Sequence, residues 1–75
     1  MSERFPRITA NQFIKVLEKL GFKFVRQKGS HKVYRNNNNV RAVVPFHSGQ
    51  IVHIKIIKQF LKDANLNLDE FKEYL

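Results

Sequence analysis

Phe22-Lys23-Phe24-Val25-Arg26-Gln27-Lys28-Gly29-Ser30-His31-Lys32-Val33-Tyr34-Arg35, running on through Asn36-Asn37-Asn38-Asn39 to Val40-Arg41-Ala42-Val43-Val44-Pro45, decides the fold. β-Branched and aromatic residues alternate with cations in Phe22–Gln27, the pattern of a strand, and Lys28-Gly29-Ser30 reads as a turn. His31–Arg35 is a second strand. The four asparagines make a loop, because Asn tolerates positive φ and bonds its own backbone. Val40–Val44 is a third strand, closed by Pro45. Two consecutive hairpins predict an antiparallel meander of three strands.

The flanks supply the helices. Thr9-Ala10-Asn11-Gln12 fits a capping box, with Ile8 and Phe13 placed as a hydrophobic staple. Phe13, Val16, Leu17 and Leu20 fall at i, i+3, i+4 and i+7, one apolar stripe, and Gly21 follows as the terminating residue. A helix over about 10–20 is predicted. Phe46–Gln50 is a loop. A second helix is predicted from somewhere in 50–53 to about Ala64, with Ile54, Ile57, Leu61 and Ala64 inward and Phe60 beside them. Asn67-Leu68-Asp69-Glu70 repeats the capping-box pattern, with Leu66 and Phe71 as its staple, and a terminal helix over about 68–74 follows. The order is α-β-β-β-α with a short C-terminal helix: an α+β two-layer sandwich in which helices cover one face of the sheet. Residues 1–75 are read as one domain with 1–6 flexible.

Composition narrows the function classes. A 75-residue chain hides roughly 63% of its extended surface on folding, enough for one thin core. With 43% hydrophobic residues the chain is not intrinsically disordered. The absence of cysteine rules out disulfides and a thiol nucleophile. No apolar run is long enough for a membrane span, and the first residues lack the apolar core of a secretory signal. A cytoplasmic protein with no membrane partner is expected.

Charge is the strongest compositional signal. Fourteen Lys and Arg against six Asp and Glu give a net +8. Residues 1–62 carry thirteen of the cations against Glu3 and Glu18 alone, a net +11, and residues 63–75 carry −3. A body this basic attracts polyanions, of which nucleic acid is the commonest inside a cell.

Chemistry-bearing residues are few. The carboxylates are too scattered for a paired acid and base. His31, His47 and His53 have spacings that match no compact metal motif, so no metal and no cofactor are expected. Lys28-Gly29-Ser30-His31-Lys32 is the segment with chemical promise. A histidine directly after a glycine turn can stand at the sheet's rim. Gly29 leaves room for a phosphate or sugar near the backbone, Ser30 can donate a hydrogen bond, and Lys28 and Lys32 bring positive charge. Histidine is the side chain best suited to moving protons near neutral pH. RNA carries its own nucleophile, the 2′-hydroxyl, so one base and a set of cations suffice for slow cleavage. The alternative is a strand histidine packed on the face it shares with Val33 and bonded to a carbonyl. His47 is a secondary candidate, as substrate-orienting residue or acid. Arg26, Arg35 and Arg41 belong with Lys28 and Lys32, and with Lys15, Lys19, Lys23, Lys55, Lys58 and Lys62, to a wider basic footprint, Tyr34 is either a base-stacking or a core residue, and His53 reads as structural.

With Ile8-Thr9 before the first helix, Leu20-Gly21-Phe22 after it, Gln27-Lys28-Gly29-Ser30-His31 at the first hairpin, and Val43-Val44-Pro45 with His47 ahead of a basic helix, the chain resembles the HicA-type toxins of HicA/HicB toxin–antitoxin modules over about residues 7–71. Phe46 and the Gln50–Ile54 helix start depart from many relatives, which have a basic residue and a Gly-Thr there. The resemblance implies a fold like the double-stranded-RNA-binding domain. It implies a metal-independent endoribonuclease that cuts mRNA, with His31 as the catalytic residue and Gly29 and Ser30 shaping its turn. It also implies a HicB-type antitoxin partner that masks the histidine, and operator DNA bound only through the antitoxin complex. Two alternatives remain beside it: a non-catalytic double-stranded-RNA-binding module, and an interaction domain whose basic face serves a protein.

Overall fold

The computed structural model describes residues 4–47 and 49–75. Its elements follow in the order α1 (Ala10–Lys19), β1 (Lys23–Lys28), β2 (His31–Arg35), β3 (Arg41–Pro45), α2 (Ile54–Asp63) and α3 (Leu68–Glu73). The three strands form one antiparallel sheet in the order β1-β2-β3. This is the expected α-β-β-β-α layout with a short C-terminal helix. The expectation of flexibility over 1–6 falls partly on residues 1–3, and that of a loop over 46–50 includes Ser48; both lie outside the described residues. Phe5, within 1–6, is half-buried against the core.

α1 forms as its capping box dictates. The Thr9 hydroxyl accepts from the Gln12 N–H, and the Gln12 side chain accepts from the Thr9 N–H at 2.8 Å. At the other end Gly21, at φ +91°, lets its N–H reach Glu18 and the Phe22 N–H reach Leu17, at 3.1 and 2.9 Å, which satisfies two terminal carbonyls. Phe22 is drawn into the core by that termination. β1 therefore begins at Lys23, one residue later than expected. β3 likewise starts at Arg41 and not Val40, because the Val40 N–H is taken by the Asn36 side chain at 2.8 Å.

α2 begins later than the expected 50–53. Ile51 pairs with Thr9 in an isolated bridge, and the Val52 N–H donates to Ile8 at 2.8 Å, so both residues stay extended. His53 then caps the helix: its Nδ1 accepts from the Lys55 N–H at 3.1 Å. Its role is structural, as its position suggested. Ile57, Phe60 and Leu61 face inward, whereas Ile54, expected in the inner stripe, is the first residue of the helix and is exposed.

The helices share one side of the sheet. Phe13, Ile14, Val16 and Leu17 of α1, the three inward residues of α2, and Leu68 and Phe71 of α3 meet Tyr34, Ala42 and Val44 from the strands. The ring of Phe60 lies edge-on to Phe13 and Phe22, each at 5.4 Å, and to Phe71 at 6.2 Å. No helix among the described residues is long and apolar enough to cross a membrane.

Candidate functional site

Strand alternation leaves a second set of side chains on the face away from the helices. Across β2 and β3, His31 stands opposite Pro45, Val33 opposite Val43, and Arg35 opposite Arg41. Across β1 and β2, Lys28 stands opposite His31, Arg26 opposite Val33, and Lys23 opposite Arg35. The register shifts between Phe24 and Arg26; this bulge keeps Arg26 and Lys28 on the same face as His31. The result is a helix-free face with cations around a short valine floor. Val33 is only 5% exposed although no helix covers it. Long Arg and Lys stems can lie over such a residue while their charged heads stay at the rim.

An open cleft of about 450 Å³ occupies this face, lined by Arg26, Lys28, Gly29, Ser30, His31, Val33, Arg41 and Val43. The turn that carries it is built by its sequence. Lys28 and His31 pair directly, so Gly29 and Ser30 are a two-residue loop, and Gly29 sits at φ +58° while Ser30 avoids positive φ. That combination marks the type II′ hairpin turn, whose first central position favours glycine. A Cβ at Gly29 would meet nothing within 4 Å, so the demand is conformational and not steric. Gly29→Ala should destabilise the protein by ~1–2 kcal/mol and lower the melting temperature by ~4–16 °C, and Gly29→Asn by less, both measured by thermal unfolding. An unchanged melting temperature for the alanine variant would contradict the turn as described.

His31 is exposed, and its ring is bonded to no other group among the described residues. The packed, carbonyl-bonded strand histidine therefore does not describe it, although its face-mate Val33 is buried. Arg26, Lys28, Gly29 and Ser30 meet His31 in the cleft. Arg35 shares the face but lies at the far end of β2, beside Lys23 and Arg41. Lys32 lies on the opposite face, paired with Gln27 and Val44, and its Nζ sits 3.9 Å from the centroid of the Phe46 ring. His47 is exposed and follows a segment held beside the turn by the Phe46 N–H bond to the Ser30 carbonyl at 2.6 Å, but it does not line the cleft. Tyr34 is core: it is 5% exposed, stacks edge-on with Phe24 at 5.6 Å, and its phenol is pushed above its usual value by burial and then by Glu18.

Val43 is the cleft residue that strand patterning did not single out, and Arg41 stood only as one cation of the wider footprint. Their signal was the hairpin register: an odd-numbered loop between β2 and β3 places odd-numbered residues of β3 on the face of His31. Among the described residues no group of three or more His, Asp or Glu could hold a metal ion.

The chain matches the family model described as the HicA toxin of bacterial toxin–antitoxin over residues 10–66, from the start of α1 to just past α2. The match takes in the whole cleft. No curated protein matches the sequence.

Proposed function

This chain belongs to the HicA toxin family of bacterial toxin–antitoxin modules, and from that membership we propose that it is a metal-independent endoribonuclease that cuts mRNA in the cytoplasm, with His31 moving the proton. A cognate antitoxin is the partner that the family implies; that it is of the HicB type and supplies any operator-DNA contacts is part of the proposal. The observation that carries the activity is the exposed imidazole of His31 at the rim of a cleft shared with Arg26, Lys28 and Arg41.

In the reaction, a neutral His31 ring accepts the proton of an RNA 2′-hydroxyl as that oxygen attacks the adjacent phosphorus. The bond from phosphorus to the 5′-oxygen breaks, leaving a 2′,3′-cyclic phosphate and a 5′-hydroxyl. The leaving oxygen takes its proton from water or from the imidazolium just formed. Arg26, Lys28 and Arg41 offset the charge that builds on the non-bridging oxygens, the type of stabilisation that dominates phosphoryl chemistry. Ser30 and the open backbone at Gly29 hold the phosphate close.

The purified chain in excess EDTA should cut a single-stranded RNA and leave 2′,3′-cyclic phosphate ends. A single 2′-deoxy substitution at the cut nucleotide should abolish that cut. Equal cleavage of the 2′-deoxy substrate would remove the 2′-hydroxyl, and His31 as its base, from the mechanism. Salt-dependent RNA binding with no cleavage, the affinity falling with a log–log slope of about −0.7 per phosphate neutralised, would instead support the binding-module reading.

A further inference from the structure

β3 presents an open edge, and its register says which backbone groups point outward. The Phe46 N–H bonds Ser30 and the Asn36 N–H bonds Val40, at 2.6 and 3.1 Å, bracketing the β2–β3 ladder at both ends. Antiparallel pairing alternates, so Ala42 and Val44 exchange bonds with β2, and the N–H and C=O groups of Arg41 and Val43 face away from the sheet. Among the described residues they have no other partner. Pro45 ends the run, having no N–H. Directly beside this edge, between β3 and α2, lies a notch of about 270 Å³ floored by Phe13, Ala42 and Phe60 and walled by Ile56 and Gln59. Arg41 and Val43 line both the notch and the His31 cleft.

We infer that β3 is the docking edge for the antitoxin, which adds an extended segment of about four or five residues as a fourth strand. The added strand closes the outward bonds of Arg41 and Val43, the mode in which main-chain bonds give affinity and alternate side chains give specificity. The two faces it meets fix its composition. On the helix side an apolar side chain enters the notch, and Asp63 at the rim disfavours an acid there. On the other side the strand lies against Arg41 and the cationic cleft, where acidic side chains are matched. The segment therefore alternates apolar and acidic residues, and its acidic side chains border the cleft beside Arg41 and Val43. A second copy of this chain fits poorly, since pairing two β3 edges would bring together two Arg41 side chains on molecules of net +8. β1, the other edge, is broken by its bulge and carries Lys23, Arg26 and Lys28, the devices that deter strand addition.

This inference rests on family membership for its partner and not on the nuclease reading, so a failure of His31 as catalyst leaves it standing. The test is amide hydrogen exchange of the chain, free and in complex with the antitoxin of its own module. Exchange at the Arg41 and Val43 N–H should be fast in the free chain and strongly slowed in the complex. Val43→Pro removes one outward donor where an edge strand tolerates proline. It should weaken antitoxin binding by about 10- to 100-fold, with Val43→Ala within a few-fold of wild type and both variants shown folded by circular dichroism. Protection confined to β1 or to the cleft, with the Arg41 and Val43 amides still exchanging freely in the complex, would overturn the inference. So would protection of these amides in the free chain that grows with its concentration, since a second copy would then hold the edge.

Discussion

His31→Ala is expected to lower RNA cleavage by about 10²- to 10⁴-fold, the range a positioned proton-transfer group supplies. The substitution should leave the fold almost untouched. The ring is exposed and holds no hydrogen bond among the described residues, so its removal is a surface change of within ~0.5 kcal/mol and a melting-temperature shift of at most ~4 °C. RNA affinity should also survive, because the phosphate contacts are proposed to come from Arg26, Lys28 and Arg41, and none of them is hydrogen-bonded to the imidazole among the described residues. The expected pattern is lost turnover with binding and stability kept. Assays of cleavage in EDTA, binding and thermal unfolding on the same two preparations read all three. Equal cleavage by wild type and variant would assign the activity to another group or to a contaminant.

The sequence made the elements legible where the chemistry is local. Thr9 with Gln12 and Asn67 with Glu70 place helix starts through bonds between residues three apart, and both capping boxes form. Gly21 and Gly29 mark a helix end and a hairpin turn, because each needs a positive φ that few other residues accept. The turn around His31 was readable for the same reason.

Register was not legible, and the cleft depends on it. A third strand over 40–44 after a four-residue loop would place Val40 opposite Arg35, with Ala42 and Val44 on the face of His31. The loop has five residues. The Asn36 carboxamide oxygen accepts from the N–H groups of both Asn38 and Val40, at 3.0 and 2.8 Å, and Asn39 turns through φ +66°. Val40 is thereby held in the loop and Arg41 becomes the partner of Arg35. One residue of slip exchanges the faces of a whole strand, so Arg41 and Val43 reached the cleft and Ala42 and Val44 reached the core. Lys32 was misgrouped with His31 through a simpler error: neighbours in a strand point to opposite faces. The start of α2 was obscured differently. The extended conformation of Ile51 and Val52 is imposed by residues 8 and 9, more than forty positions away, which no local pattern reports.

That late start makes helix α2 the most stringent stability test, through Phe60→Ala. Phe60 touches the rings of Phe13, Phe22 and Phe71, and so joins α1, the entry to β1 and α3 to its own helix. Truncating a buried phenylalanine costs ~3–5 kcal/mol, transfer and cavity together. A domain of this size holds only some 5–15 kcal/mol in total, so the melting temperature should fall by ~12–40 °C. Ile54→Ala is the informative companion. Ile54 is 41% exposed, so its truncation should change stability by ~0.5 kcal/mol or less. Were Ile54 buried in the inner stripe, the same truncation would cost ~2–5 kcal/mol. Chemical denaturation of the two variants side by side separates the cases. A large loss for Phe60→Ala with almost none for Ile54→Ala holds the first turn of α2 outside the core that Phe60 joins. Comparable losses would mean that Ile54 is buried and that the first turn of α2 packs on the core, contrary to the structure.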